Sequence, residues 1–249
     1  MFAYNGQVPA SNVSERTLLS SPGNSVAMNI PTRISSWVVT ASFWIVMATT
    51  AFALPNVHEV AQQVDEHYNQ LQSFEADFTE IYQGAGIQRE ELGTLWLKKP
   101  GKMRWEYRSP EEKLFLADGK TTWLYIPAEK QARKSPLKNL EDVRSPLAFL
   151  LGKTKLQKEL KVLSFAPDLK AWKPEDVMLR GVPVGLEDRV EQVVLEITPE
   201  HRIARILIHA VDDSVTEYRF SNQKENVAVT DKQFRFTAPA GTEVIEDEQ

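Results

Sequence analysis

The 249-residue sequence contains no cysteine. That absence excludes disulfide frameworks, thiolate metal sites, cysteine nucleophiles and thiol redox chemistry, and with them lipid anchoring through a terminal cysteine. Histidine is scarce as well. His58, His67, His201 and His209 are the four present, and none forms an H-x-x-x-H or H-E-x-x-H pattern or joins a carboxylate cluster at ligand spacing. They read as surface or interface residues, and no metal or cofactor is expected. Positive charge is not in excess: 29 Lys and Arg stand against 34 Asp and Glu, a net charge of −5. A nucleic-acid binder needs a basic face to neutralise phosphates, so no nucleic acid is expected among the partners.

Catalytic signatures are missing too. There is no G-x-S-x-G, which removes a nucleophile elbow. Gly84-Ala85-Gly86 lacks the third glycine of a dinucleotide fingerprint and reads as a hairpin turn. The adjacent carboxylates Glu90-Glu91, Glu111-Glu112 and Asp212-Asp213 do not converge on a substrate. In a strand such neighbours point to opposite faces, and in a turn both face water, so solvated turns are expected. Lys98, Lys99, Lys102 and Arg104, interleaved with Trp96 and Trp105, read as a hairpin with its apolar side inward. No enzyme constellation survives, and a non-enzyme is expected.

What is present begins with an address. From Ile34 to Leu54 the chain is uncharged and mostly apolar, Arg33 precedes it, and Ala51-Phe52-Ala53 closes it. A basic residue, an apolar core and small residues at Ala51 and Ala53 describe a secretory signal peptide cleaved after Ala53; an uncleaved anchor is the alternative. Met28 to Arg33 makes a more typical leader start than residues 1–27, so Met28 is a candidate initiator. The expected division is an upstream extension and leader over 1–53 and one domain over 54–249. An acidic, cysteine-free, exported chain suits the periplasm.

Beyond the leader, Val57, Val60, Ala61, Val64, Tyr68 and Leu71 recur at helical spacing behind Asn56, a candidate N-cap. The period then changes to two. Phe74, Ala76 and Phe78 alternate with Glu75, Asp77 and Thr79, a half-buried strand. A second strand runs to about Lys98, and Pro100-Gly101 turns into Met103, Trp105 and Tyr107 on one face. Asp118-Gly119 is a two-residue hairpin signal between 113–117 and 120–126. Further strands are expected near 130–135, 161–165, 176–182, 190–197, 203–210, 215–220 and 233–237. Short turns without intervening helices mean an antiparallel sheet. The acidic tail Glu246-Asp247-Glu248 reads as a solvated end. Ser145 to Gly152 carries helix start and stop marks and is apolar all round between them. It is either a core plug or a lid on an apolar cavity.

The stretch Gly93-Thr94-Leu95-Trp96-Leu97-Lys98-Lys99-Pro100-Gly101-Lys102-Met103-Arg104-Trp105-Glu106-Tyr107 resembles the outer-membrane lipoprotein carriers, the LolA family. So do Leu71 to Thr79, Asp118-Gly119-Lys120-Thr121-Thr122-Trp123-Leu124-Tyr125 and Phe234-Arg235-Phe236-Thr237-Ala238-Pro239. The resemblance implies a mainly β, α+β fold: an unclosed antiparallel half-barrel whose apolar concave face is covered by a few helices. It implies a monomeric periplasmic chaperone that shields the acyl chains of lipoproteins. Its partners would be acylated lipoproteins as cargo, an inner-membrane ABC transporter complex as donor and an outer-membrane lipoprotein receptor as acceptor. A periplasmic sensing module on the same fold is the alternative. By position, Met103, Trp105 and Tyr107 match cavity-facing strand residues, and Leu147, Ala148 and Leu150 match the lid helix. Lys99 stands where the family usually has an arginine that tethers the lid, and Met103 where an aromatic is common. Lysine lacks arginine's rigid fork, and methionine is the more adaptable liner.

Overall fold

The computed structural model describes residues 56–137 and 155–247, all within one unit, Phe52–Gln249. Helix α1, Val57–Gln70, starts at the expected cap. The Asn56 side chain accepts from the His58 N–H at 2.9 Å, and Glu59 reaches back to the Asn56 N–H at 3.4 Å. These bonds satisfy donors that a helix start leaves open. Val60, Ala61, Val64 and Tyr68 form its buried stripe, at the predicted spacing.

The remaining elements are almost all strands. They are β1 (Ser73–Gly84), β2 (Ile87–Lys98), β3 (Lys102–Ser109), β4 (Lys113–Asp118), β5 (Thr121–Ile126) and β6 (Gln131–Pro136), then helix α2 (Leu156–Glu159). After α2 come β7 (Leu160–Phe165), β8 (Val177–Pro183), β9 (Val190–Ile197), β10 (Ile203–Ala210), β11 (Val215–Glu225) and β12 (Glu243–Glu246). Twelve strands form one sheet in the order β12-β6-β5-β4-β3-β2-β1-β11-β10-β9-β8-β7. The two end strands do not pair, so the sheet is open. Neighbours in sequence are neighbours in space except at two joins. β1 pairs with β11, Phe78 opposite Phe220, and β12 lies parallel to β6.

Three expectations need correction. Residues 233–237 are not a strand. A one-turn 3-10 helix spans Asp231–Phe234, because Thr230 and Gln233 cap each other and Phe234 turns into the interior, 1% exposed. The acidic tail is not simply solvated. Glu243–Glu246 adds a parallel strand to β6, with Lys134 on Glu246 at 2.9 Å and Ser135 donating to Asp247. The carboxylate pairs are not all in solvated turns either: Glu90 and Glu91 sit in β2, and Glu91 is buried against Lys113 at 2.6 Å. At the Asp118-Gly119 hairpin the connecting residues are Gly119 and Lys120. Asp118 ends β4, and its carboxylate accepts from the Lys120 and Thr121 N–H groups, both at 2.8 Å.

Alternation sorts the sheet into two faces. Phe74, Ala76 and Phe78 of β1, Met103, Trp105 and Tyr107 of β3, and Tyr218 and Phe220 of β11 share the inner face with the buried stripe of α1. Glu75, Asp77, Glu196, Arg205, Glu217 and Arg219 alternate with these inner residues and face outward.

Candidate functional site

The inner face is the best-built surface among the described residues. Trp105 stands at its middle, fully buried, with Met103 and Tyr107 two residues away on either side and scarcely more exposed. The Trp105 ring meets the Phe78 ring edge-on at 4.6 Å, Tyr218 at 5.7 Å and Phe220 at 6.4 Å, and Phe78 meets Tyr107 at 4.9 Å. Such tilted contacts suit the ring quadrupoles and add to the burial of area. Gly93 makes the stacking possible. A Cβ there would lie 2.2 Å from the Glu106 carbonyl and 2.6 Å from the Phe78 ring, and the β2–β3 register shifts at this glycine. Backbone and ring approach because nothing intervenes.

Two polar features interrupt the apolar surface. The Trp105 Nε1–H is buried without a hydrogen-bond partner among the described residues. Leaving such a donor unpaired costs about 1–3 kcal/mol, which the burial of the ring must offset. The Tyr107 hydroxyl donates to Glu80 at 2.8 Å, and the Lys113 ammonium lies 4.2 Å from the Tyr107 ring centroid. One end of the face is therefore polar and ionic while the middle is aromatic.

Helix α1 covers this face and is tied down at its C-terminal half. Tyr68 is buried, and its phenol oxygen accepts from the Ile203 N–H of β10 at 3.1 Å. Burial pushes its ionisation above the usual tyrosine range. His67 contacts Glu225 of β11 at 3.0 Å, where Arg202 also pairs at 2.8 Å. Asp65 accepts the Leu156 N–H through both carboxylate oxygens, at 2.9 and 3.1 Å, and so caps α2. Its pKa nonetheless lies above the ordinary aspartate value, because burial outweighs that bond.

Lys99 completes the set. Its ammonium donates to the carbonyls of Tyr68 at 2.6 Å and Asn69 at 2.9 Å, the last turn of α1. A helix C-terminus offers unsatisfied carbonyls and a negative dipole end, so a cation there is doubly favoured. Partial burial lowers its pKa from the usual lysine value. The partners of Lys99 described in the structure thus belong to α1. The candidate lid residues Leu147, Ala148 and Leu150 and the candidate cleavage residues Ala51 and Ala53 lie outside the described residues.

Met103, Trp105 and Tyr107 are brought together as expected on one strand face. Sequence pattern does not single out Phe78, Tyr218, Phe220 and Tyr68 as site residues. The signal for Phe78 is its alternation, but nothing local shows that β11 lies beside β1. Apart from Lys99, the bases between Trp96 and Trp105 are neutralised locally. Lys98 and Lys102 share Asp231 at 2.7 and 2.9 Å, holding its carboxyl down to about 2. Arg104 pairs with Glu106 at 3.0 Å, and the Trp96 indole donates to Glu75.

Comparison with known proteins gives concordant results. Residues 69–237 match the family described as outer membrane lipoprotein carrier protein LolA. A protein of Sodalis glossinidius described as an outer-membrane lipoprotein carrier protein is 30% identical over 214 residues, covering 83% of this chain and 95% of the relative. One of Nitrosomonas europaea with the same description is 24% identical over 209 residues, 82% of this chain and 98% of the relative. Among solved structures, an uncharacterized conserved protein from Thermus thermophilus shares the fold at a TM-score of 0.50 and 16% identity, covering 76% of this chain and 98% of that one.

Proposed function

Because the chain belongs to the LolA family of outer membrane lipoprotein carrier proteins, we propose that it shields the acyl chains of lipoproteins and carries them across the periplasm. In this reading an inner-membrane ABC transporter complex loads it and an outer-membrane receptor unloads it. The observation that supports the reading best is the inner face itself: aromatic side chains of β1, β3 and β11 under the amphipathic helix α1. Three acyl chains expose on the order of 40 methylenes, and at about 0.8 kcal/mol each they resist water by roughly 30 kcal/mol. A carrier must offer comparable apolar surface and still release it.

Lys99 is our candidate for the release device. Its two bonds hold the end of α1 over the inner face, and Leu147, Ala148 and Leu150 would complete the cover as a lid. A cover tied by a few charge-assisted bonds can open for cargo and re-close to expel it. Export follows from Ala51 and Ala53, with the working chain starting at Leu54.

The test is a two-step transfer assay with donor membranes, the protein and acceptor membranes, scored separately for loading and delivery. Wild-type protein should do both. Lys99→Leu should load normally and deliver poorly, and Lys99→Arg should restore delivery. Failure of wild-type protein to take up acylated lipoprotein would overturn the carrier reading. Equal delivery by Lys99→Leu and wild type would remove Lys99 from it.

A further inference from the structure

The outer face carries a site that lipoprotein carriage does not use. In register across β8 to β11, Met178 stands opposite Glu196, Glu196 opposite Arg205, and Arg205 opposite Arg219. Residues 166–176 cross this row and are fastened to it. Arg205 donates to the Lys170 carbonyl at 3.0 Å and pairs with fully buried Glu196 at 2.6 Å. Glu196 accepts the Trp172 N–H at 2.7 Å. The Arg205 and Arg219 guanidinium groups lie over the Trp172 ring at 4.7 and 5.2 Å.

Beside this strap lies a cleft of about 320 Å³ lined by Phe165, Leu169, Ala171, Val177 and Met178. That volume is within the range of small-molecule sites, about 300–1,000 Å³. One ionisable residue stands in its wall. Asp176 is only 8% exposed, and its Oδ1 is buried with no hydrogen-bond partner. Among the described residues it makes no ion pair. Arg205 is engaged by Glu196 and Glu217, and Arg219 by Glu217. Burial disfavours the Asp176 charge, Glu196 repels it and hydrogen-bonds the protonated carboxyl, Glu175 adds to the repulsion, and Lys173, exposed on the strap, offsets it in part. A carboxyl torsion is soft and two-fold, so either oxygen can turn toward the cleft.

An apolar cleft whose one polar side chain is an acid without a paired cation among the described residues complements an alkyl chain that ends in a cation. We propose that this outer cleft binds a short-chain primary amine, its hydrocarbon on the apolar lining and its ammonium on the Asp176 carboxylate. Burial and Glu196 hold the Asp176 pKa above the ordinary aspartate value, so the ammonium would displace a proton that the empty site retains. Binding should therefore strengthen as pH rises through that range.

The probe is n-octylamine below its micellar concentration, with octanoate and n-octanol as controls. The protein is labelled with ¹³C-methyl methionine. Among the described residues Met103 lies on the inner face and Met178 on the outer cleft, and replacing each with Leu assigns its signal. The amine should shift the Met178 methyl saturably, and octanoate should bind at least about tenfold more weakly. Asp176→Asn should lose at least about tenfold of amine affinity and leave octanol affinity within about twofold. If that variant does not fold, Ala171→Phe, which fills the cleft and leaves the acid, should abolish the Met178 shift for every probe. An unmoved Met178 signal, a shift confined to Met103, or equal binding of amine and octanoate each overturns the proposal. None of these outcomes bears on lipoprotein transfer.

Discussion

Two residues of β2 and its turn show how single side chains set the inner face. Gly93 is the one position where β2 must carry no Cβ, since the Glu106 carbonyl and the Phe78 ring already occupy that space. Gly93→Ala should destabilise the protein by about 1–3 kcal/mol through overpacking, read as a lower urea midpoint with an unchanged slope. A slope change instead would point to altered compactness. Lys99 works by charge. Removing its two bonds to α1 carbonyls should cost about 1–2 kcal/mol, since charged hydrogen bonds contribute about 1.5–3 kcal/mol and this one is half-exposed. Thermal unfolding of Lys99→Leu should show that loss, and Lys99→Arg should recover most of it.

At the scale of elements, the sheet ends are treated differently from its middle. The β7 edge carries a register shift between Lys161 and Ser164, with Val162 in a left-handed backbone conformation, φ 53°. Such an irregularity disrupts the ladder an incoming strand would need. The β6 edge is instead covered by β12 and fastened by Lys134 to Glu246 and Ser135 to Asp247. Truncation before Glu243 should bare β6. The expected result is a modest stability loss of about 1 kcal/mol but a marked rise in self-association, measured by light scattering against concentration. A truncated chain that stays monodisperse would mean that β6 needs no cover.

Over the whole molecule, the outer face of the sheet is held largely by charge. Glu75 bonds Lys224 at 2.7 Å, Asp77 accepts from Asn222 and Thr94 with Arg108 beside it, and Asp231 pairs Lys98 and Lys102. Each of these carboxyls is held below its ordinary value, first by those hydrogen bonds. A depressed folded-state pKa contributes stability that is present above the unfolded value and is lost as pH falls through the folded one. Stability should therefore drop as pH falls from about 4.5 toward 2. Asp176 and Asp65 act in the opposite sense, since both are raised by burial. Asp176→Asn should gain stability relative to wild type at pH 7 and lose that advantage at pH 3. Paired denaturant titrations at the two pH values check the sign.

The capped first helix, the antiparallel strands and the aromatic side of β3 are all legible in the chain, because periodicity and turn chemistry act over a few residues. Trp105 could be placed on an inward face from Met103 and Tyr107 alone. Local pattern could not show that β11 closes against β1, bringing Tyr218 and Phe220 to Trp105, because that pairing joins residues far apart in sequence. It could not turn 231–234 into a helical cap or make a strand of the acidic tail, since both depend on the surfaces they land on. Nor could it show that Lys99 ends on α1, or that the aspartate at 176 is buried without a paired cation. Side-chain identity is written along the chain, but burial and partnership arise only when distant strands meet, and those two properties decide what a charge can do.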